Sequence, residues 1–155
     1  MNESVTRVEF LPKSASNNYA GQKVALFIFG FLLAVKTAIS FGSIFNGHAA
    51  ASSADGIPLD TYGPAGAQTV LSLFGLVGVA NLVICLIGIA VLIRYRSLVP
   101  FMFGILLLYQ VSRYAVLYFL PVARTGAPPG SAINLGILAL MVVGLAVSMW
   151  PRRQC

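Results

Sequence analysis

The sequence contains few ionisable residues and very few acids. Only 9% of its 155 residues are charged, and four Asp and Glu stand against ten Lys and Arg. An ordinary globular domain carries about 25% charged residues, so this composition does not fit a water-soluble fold. The net charge of +6 does not indicate nucleic-acid binding either, because the basic residues cluster at the ends of apolar runs rather than in one patch.

Histidine and cysteine are almost absent. The single His48 excludes a bis-histidine haem, and with two cysteines it leaves no set of ligands for zinc. Cys85 lies within an apolar run, which favours a packing role, and Cys155 is not placed for prenylation. The sequence also lacks a nucleophile with its base, a carboxylate pair within an apolar run and a phosphate loop. We therefore predict no catalytic residue, no metal and no cofactor.

What the chain has in abundance is apolar sequence, at 58% of its residues. Four runs reach the ~20 residues that a helix needs to cross a bilayer core of ~30 Å. They are continuous and lack the alternation of strands, which predicts helices. The predicted spans are 24–44, 67–93, 98–120 and 131–150. The sequence thus predicts an all-α integral membrane protein with four transmembrane helices.

The loops predict the topology. Short connections favour an up-down antiparallel bundle. Seven cations then lie on one side of the membrane and one on the other, and the positive-inside rule places both termini in the cytoplasm. Those seven are Arg7, Lys13, Lys23, Arg94, Arg96, Arg152 and Arg153, and the one is Arg124. We predict a polar cytoplasmic segment over 1–23, loosely ordered over 5–12, a transmembrane domain over 24–150 and a basic cytoplasmic tail over 151–155. The first apolar run begins too late for a signal peptide, so we expect it to be retained.

Small and polar residues divide the faces of the first two spans. Gly30, Ala34, Ala38 and Gly42 recur every four residues, which predicts a face that packs closely against another helix. Lys36, Ser40 and Ser43 form a polar stripe on a different face, and we expect this stripe to line a cavity or meet a partner. In the second span, Asn81 is expected to join helices by hydrogen bonding.

Two cations, Lys36 and Arg113, lie inside the apolar runs, and no acid does. Each costs ~2.5–3.5 kcal/mol at the centre of a membrane helix on insertion scales. Three arrangements would reduce that cost. In the first, both side chains snorkel outward. In the second, Asp55 or Asp60 folds in from the loop and neutralises one of the cations. In the third, the two cations together bind an anion. That anion would be a lipid phosphate, a fatty-acid carboxylate or an acid of another subunit.

The third span carries most of the polar residues within the predicted helices. Residues 109, 110, 113 and 114 recur at spacings of three and four, so one broad helix face carries them. Arg113 is favoured as a direct contact because guanidinium binds carboxylate or phosphate bidentately. The predicted ligand-binding residues are Arg113, Lys36, Gln110, Tyr109 and Tyr114.

These residues leave three functions open. The favoured one is a non-enzymatic membrane module that binds an anionic lipid-like ligand or an acidic partner subunit through its intramembrane cations. The alternative is a small oligomeric transporter or channel, with an anion path lined by Arg113 and Lys36. An enzyme acting on lipid or quinone is least favoured, since no acid or base accompanies the cations. Membrane lipids, a homo-oligomer or a larger membrane complex are the expected partners.

The chain has a general resemblance to small four-helix bacterial membrane proteins, including the DoxX-like group. The features that carry the resemblance are Lys36 late in span one, Arg113 in span three and the short basic turn 94–97. That resemblance implies the bacterial inner membrane and assigns no residue a role.

Overall fold

A computed structural model describes residues 8–151 of the protein. Arg7, Arg152, Arg153 and Cys155, on which some of the predictions above draw, lie outside this range. Within it the structure is helical, and the only strand-type pairing is an isolated bridge between Gly21 and Pro151. The four long helices are α1 (Lys23–Phe45), α2 (Pro64–Arg94), α3 (Val99–Phe119) and α4 (Pro129–Met149).

All four helices are long and apolar enough to cross a membrane, which confirms four candidate spans. Only 22% to 33% of each apolar stretch is buried within the chain, so most of its apolar surface faces outward. Such a surface suits lipid rather than water. The chain is therefore a multi-pass helical membrane protein by composition, length and packing.

Proline helps to set where the helices begin. Three of the four carry a proline in the first turn: Pro64 in α2, Pro100 in α3 and Pro129 in α4. Proline suits these positions because the first amides of a helix have no intrahelical acceptor and its fixed φ is already helical. The segment 121–128, with two prolines of its own, separates α3 from α4.

Apolar side chains of all four helices form the core. Phe29 of α1 contacts Phe103 of α3, with ring centroids 5.0 Å apart. Gly144 of α4 lies against the Phe103 ring so closely that a Cβ there would overlap it. Gly144 thus allows α3 and α4 to approach closely, whereas Gly136 has open space where a Cβ would stand.

The loop between α1 and α2 is packed rather than extended. Residues 47–54 are helical, and Ala51, Ile57 and Leu59 are buried against the first turns of α2. Gly56 has a φ of +70°, and its carbonyl accepts a hydrogen bond of 2.8 Å from the amide of Thr125. The contact joins this loop to the α3–α4 connection, which places Asp55 above the end of the helices.

The segment before α1 also packs against the helices. The amide of Ser16 donates to Ser97 Oγ at 2.9 Å, and the amide of Ser97 donates to the Ser16 carbonyl at 3.1 Å. Phe10 meets Phe101 edge to face, at 5.9 Å between centroids. Phe10 thus has an aromatic partner on α3, and the loose order predicted for 5–12 stays a prediction.

Candidate functional site

The polar stripe of α1 faces the interior of the protein. Lys36 and Ser40 are 5% and 1% exposed, while Ala34 and Ala38 are exposed on the outside. Ala34 and Ala38 therefore do not pack within this chain, and packing of these small residues against a second chain stays a prediction. Alanine can face lipid without cost, whereas the polar groups of Lys36 and Ser40 need protein partners.

Lys36 does not snorkel to the membrane surface. Its Nζ lies 5.3 Å from the centroid of the Tyr109 ring of α3, a geometry suited to a cation–π interaction. No carboxylate of residues 8–151 comes within 4.0 Å of this ammonium group. The interior of the protein therefore contains a cation that is contacted by an aromatic face and has no described counter-ion.

Asn81 of α2 joins the two helices beside Lys36. Its Nδ2 donates to Ser40 Oγ at 2.6 Å and, over a longer distance of 3.4 Å, to the Lys36 carbonyl. Ser40 Oγ in turn donates to that same carbonyl at 2.8 Å. This network confirms the joining role predicted for Asn81, and it fixes the turn of α1 that carries Lys36. Cys85, one turn further along α2, is buried beside Thr37.

Several buried polar atoms near this turn and on α3 lack a hydrogen-bond partner among the described residues. They are Thr37 Oγ1, Asn81 Oδ1 and Gln110 Nε2. Gln110 follows Tyr109 in α3 and is only 1% exposed. Most buried polar atoms in proteins are hydrogen-bonded, so these groups retain capacity to bind water or solute.

Arg113 lies one helical turn beyond Tyr109 and pairs with the loop. Its Nη2 is 3.5 Å from Asp55 Oδ2, with the two side chains 31% and 18% exposed. This ion pair matches the arrangement in which an acid of the loop folds in beside an intramembrane cation, and the acid is Asp55 rather than Asp60. The contact is longer than the ~2.7–2.9 Å of a strong charge-assisted bond. Within the described part of the chain, the other guanidinium donors of Arg113 have no polar partner.

A cleft of about 320 Å³ opens beside this ion pair, between the end of α3 and the start of α4. Asp55, Arg113, Arg124 and Asn134 provide its polar wall, and Leu117 and Val122 are among its apolar residues. Tyr114 and Tyr118 also line it, and Tyr118 is 82% exposed. The cleft thus combines two guanidinium groups, one carboxylate and an apolar surface.

The five predicted ligand-binding residues fall into two groups. Arg113 and Tyr114 line the cleft. Lys36, Tyr109 and Gln110 do not line it, and Lys36 and Gln110 are sealed within the helices. Sequence reasoning did not select Arg124 for the site, because it belongs to a proline-rich connection and only the fold brings it beside α3. Whether any of these residues binds a ligand stays a prediction.

Among residues 8–151, no group of three His, Cys, Asp or Glu side chains is close enough together to hold a metal ion. Comparison of the chain with known protein families, with curated proteins and with solved structures finds no match.

Proposed function

We propose that the protein is a non-enzymatic membrane module that binds an amphipathic, lipid-like anion in the cleft beside Arg113. The observation that carries the proposal is the composition of this cleft. Arg113 and Arg124 share it with apolar residues such as Leu117 and Val122. An amphiphile with a charged head and an apolar chain matches both parts of that surface.

The guanidinium of Arg113 supports a direct contact with the ligand. It carries five N–H donors in a planar fork, and only one long contact to Asp55 uses them. Carboxylate and phosphate oxygens match that fork. Arg113 can therefore keep its ion pair and still donate to an anion in the cleft.

The depth of the cleft suits a headgroup. Arg113 lies six residues before the last residue of α3, Phe119, which corresponds to about 9 Å along the helix axis. A ligand held there would keep its charge near the membrane boundary while its chain enters the apolar region. At about 320 Å³, the cleft has room for a headgroup and the first part of a chain.

We further propose the up-down arrangement, with both termini in the cytoplasm and the bacterial inner membrane as location. Two sets of contacts support it. The segment before α1 meets the α2–α3 turn and Pro151, through Ser16 with Ser97 and through Gly21 with Pro151. The α1–α2 loop meets the α3–α4 connection, through Gly56 with Thr125. Alternating helix directions would bring these segments together in this way, and the positive-inside rule then orients the bundle.

Lys36 favours a second candidate function, a small oligomeric transporter with an anion path. Lys36 lies nine residues before the end of α1, or about 14 Å along its axis, and so deeper than Arg113. Two cations at successive depths would offer successive sites to a permeating anion. An assay of anion flux in reconstituted vesicles separates the two functions. Flux in wild type that falls in both Lys36→Met and Arg113→Gln favours transport, and no flux in wild type favours the binding module.

Native mass spectrometry of the detergent-purified protein tests the binding module. Arg113→Gln and Arg124→Gln are compared with wild type and with Arg96→Gln, whose side chain donates to the Leu92 carbonyl near the end of α2 and lies outside the cleft. We expect an anionic lipid adduct on wild type and Arg96→Gln that both cleft variants lose.

Equal adducts on all four proteins would reduce the interaction to general surface association and would contradict the proposal. A bare protein of defined stoichiometry in every case would instead favour the acidic-subunit form of the module, with Arg113 contacting a partner chain.

A further inference from the structure

The cleft contains its own acid, and the position of that acid bears on which anions the cleft accepts. Asp55 Oδ2 faces Arg113 at 3.5 Å, while Asp55 Oδ1 lies toward the start of α4 at Gly130. The carboxylate is mostly buried, at 18% exposure. It is therefore a fixed part of the cleft wall rather than a mobile surface group.

Gly130 shows how closely the loop is held in place. A Cβ at this position would stand 2.5 Å from the Ala54 carbonyl oxygen and 2.8 Å from Asp55 Oδ1. Gly130 thus allows the α1–α2 loop to approach the first turn of α4. The positive end of the α4 dipole also favours a carboxylate at this place.

The fixed charges of the cleft sum to a single positive charge. Arg113 and Arg124 contribute two positive charges and Asp55 one negative charge, and no other lining residue is ionised at neutral pH. Arg124 has no ion pair among the described residues. One singly charged headgroup therefore completes the neutralisation of the site, whereas a doubly charged headgroup leaves an excess negative charge beside Asp55.

We infer that Asp55 determines the specificity of the cleft and restricts it to amphiphiles with a singly charged headgroup, a carboxylate or a phosphodiester, over phosphomonoesters. A phosphomonoester carries about −1.5 to −2 charges at pH 7, which sets it apart from the other two. The inference depends on the proposed function, because it concerns which anions the same cleft binds.

The test is a native mass spectrometry titration in neutral detergent with three probes. Didodecanoyl phosphatidylglycerol and didodecanoyl phosphatidic acid share their chains and differ in headgroup charge, and dodecanoate provides a free carboxylate. The proteins are wild type, Asp55→Asn and Asp60→Asn. Asp60 belongs to the same loop but is exposed and does not line the cleft, so its variant is the matched control.

We expect wild type and Asp60→Asn to bind phosphatidylglycerol or dodecanoate more tightly than phosphatidic acid. In Asp55→Asn the preference should shift toward phosphatidic acid by about five- to tenfold, as expected for removal of one unit charge a few Å from the headgroup. Tighter binding of dodecanoate than of phosphatidylglycerol would identify a free fatty acid as the ligand source, and the reverse order a glycerophospholipid.

A wild-type preference for phosphatidic acid would overturn the inference without any variant, so a poorly folding Asp55→Asn protein does not prevent the test. An unchanged ratio in a monodisperse Asp55→Asn protein would also overturn it. In both cases the proposed function survives if Arg113→Gln abolishes binding. Binding by Arg113→Gln equal to wild type, or no binding of any probe by wild type, would instead contradict the proposed function itself.

Discussion

The ammonium of Lys36 in α1 lies 5.3 Å from the centre of the Tyr109 ring in α3, and this ring is the closest substitute for a counter-ion that the described residues offer it. An aromatic face compensates only part of the lost hydration, at about 0.5–2 kcal/mol. The burial of Lys36 therefore leaves a net cost in the fold. A sequence retains such a cost most readily where the cation has a task.

Replacing Lys36 by methionine should stabilise the protein. Methionine has a similar length and no charge, so the free energy of unfolding should rise by roughly 2–3 kcal/mol, the cost of a lysine at the centre of a membrane helix. Thermal unfolding in detergent measures the change. Lys23→Met, at the exposed start of α1, is the control and should have little effect. A less stable Lys36→Met protein would mean that the ammonium has an anionic partner in the folded state.

Tyr109 should matter through its ring and not through its hydroxyl. Tyr109→Leu should lower the free energy of unfolding by about 0.5–2 kcal/mol beyond the effect of lost packing, and Tyr109→Phe should retain the interaction. Repeating both substitutions in the Lys36→Met background isolates the pairwise energy as a double-mutant cycle. A leucine cost that stays the same without Lys36 would show that the ring serves packing alone.

The predicted helices match the structure closely, and the largest difference at a boundary is at the start of α2, which begins at Pro64 rather than at 67. Long apolar runs identify membrane helices reliably because a lipid environment allows few alternatives. The orientation of α1 was less predictable. Its sequence shows that Ala34 and Lys36 belong to different faces. In a water-soluble protein the apolar face would be the packed one, but in lipid the apolar face can point outward. Only the hydrogen bond from the neighbouring Asn81 shows which face of α1 is packed.

The cleft could be predicted only in part. Arg113 and Tyr114 are recognisable because polar residues are rare inside a span. Asp55 was one of two candidate acids, and its choice over Asp60 depends on the buried path of the loop through Ala51, Gly56 and Ile57. Arg124 depends on how the α3–α4 connection folds back through Thr125. Such long-range contacts between two irregular segments have no periodic signal in the sequence.

Ser40 and Ser72 provide a matched pair that tests the hydrogen bond between α1 and α2. Both hydroxyls donate to the carbonyl four residues earlier, at 2.8 Å and 3.0 Å, but only Ser40 also accepts from Asn81. Ser40→Ala should therefore cost about 0.5–1.5 kcal/mol of stability, the range for hydrogen bonds between membrane helices. Ser72→Ala, on an exposed face, should be nearly neutral. Equal effects in thermal unfolding would show that the bond to Asn81 contributes nothing.

Gly130 and Gly136 test the seating of the α1–α2 loop on α4. A Cβ at Gly130 would meet the rigid backbone oxygen of Ala54, whereas nothing lies within 4 Å of a Cβ at Gly136. Gly130→Ala should lower the free energy of unfolding by about 1–3 kcal/mol, as for other overpacked sites. Gly136→Ala should be neutral or slightly stabilising, because alanine favours helix. If the two variants unfold at the same temperature, the loop is not seated against α4 in this way.

Tyr19, in the segment before α1, should make the stability of the protein sensitive to alkaline pH. Burial raises the pKa of its phenol to about 12, and the opposing effect of the nearby Ser148 side chain is smaller. Since this value lies above the ordinary 10.0, the neutral phenol contributes its full stabilisation below about pH 10 and loses it as the pH rises toward 12. Tyr19→Phe cannot ionise, so wild type should lose stability relative to this variant between about pH 9 and about pH 11. Tyr62→Phe, at an exposed loop position, is the control in thermal unfolding at both pH values and should follow wild type. A constant difference in stability between wild type and Tyr19→Phe across this range would mean that the phenol reaches water in solution and that Tyr19 does not pack against the helices.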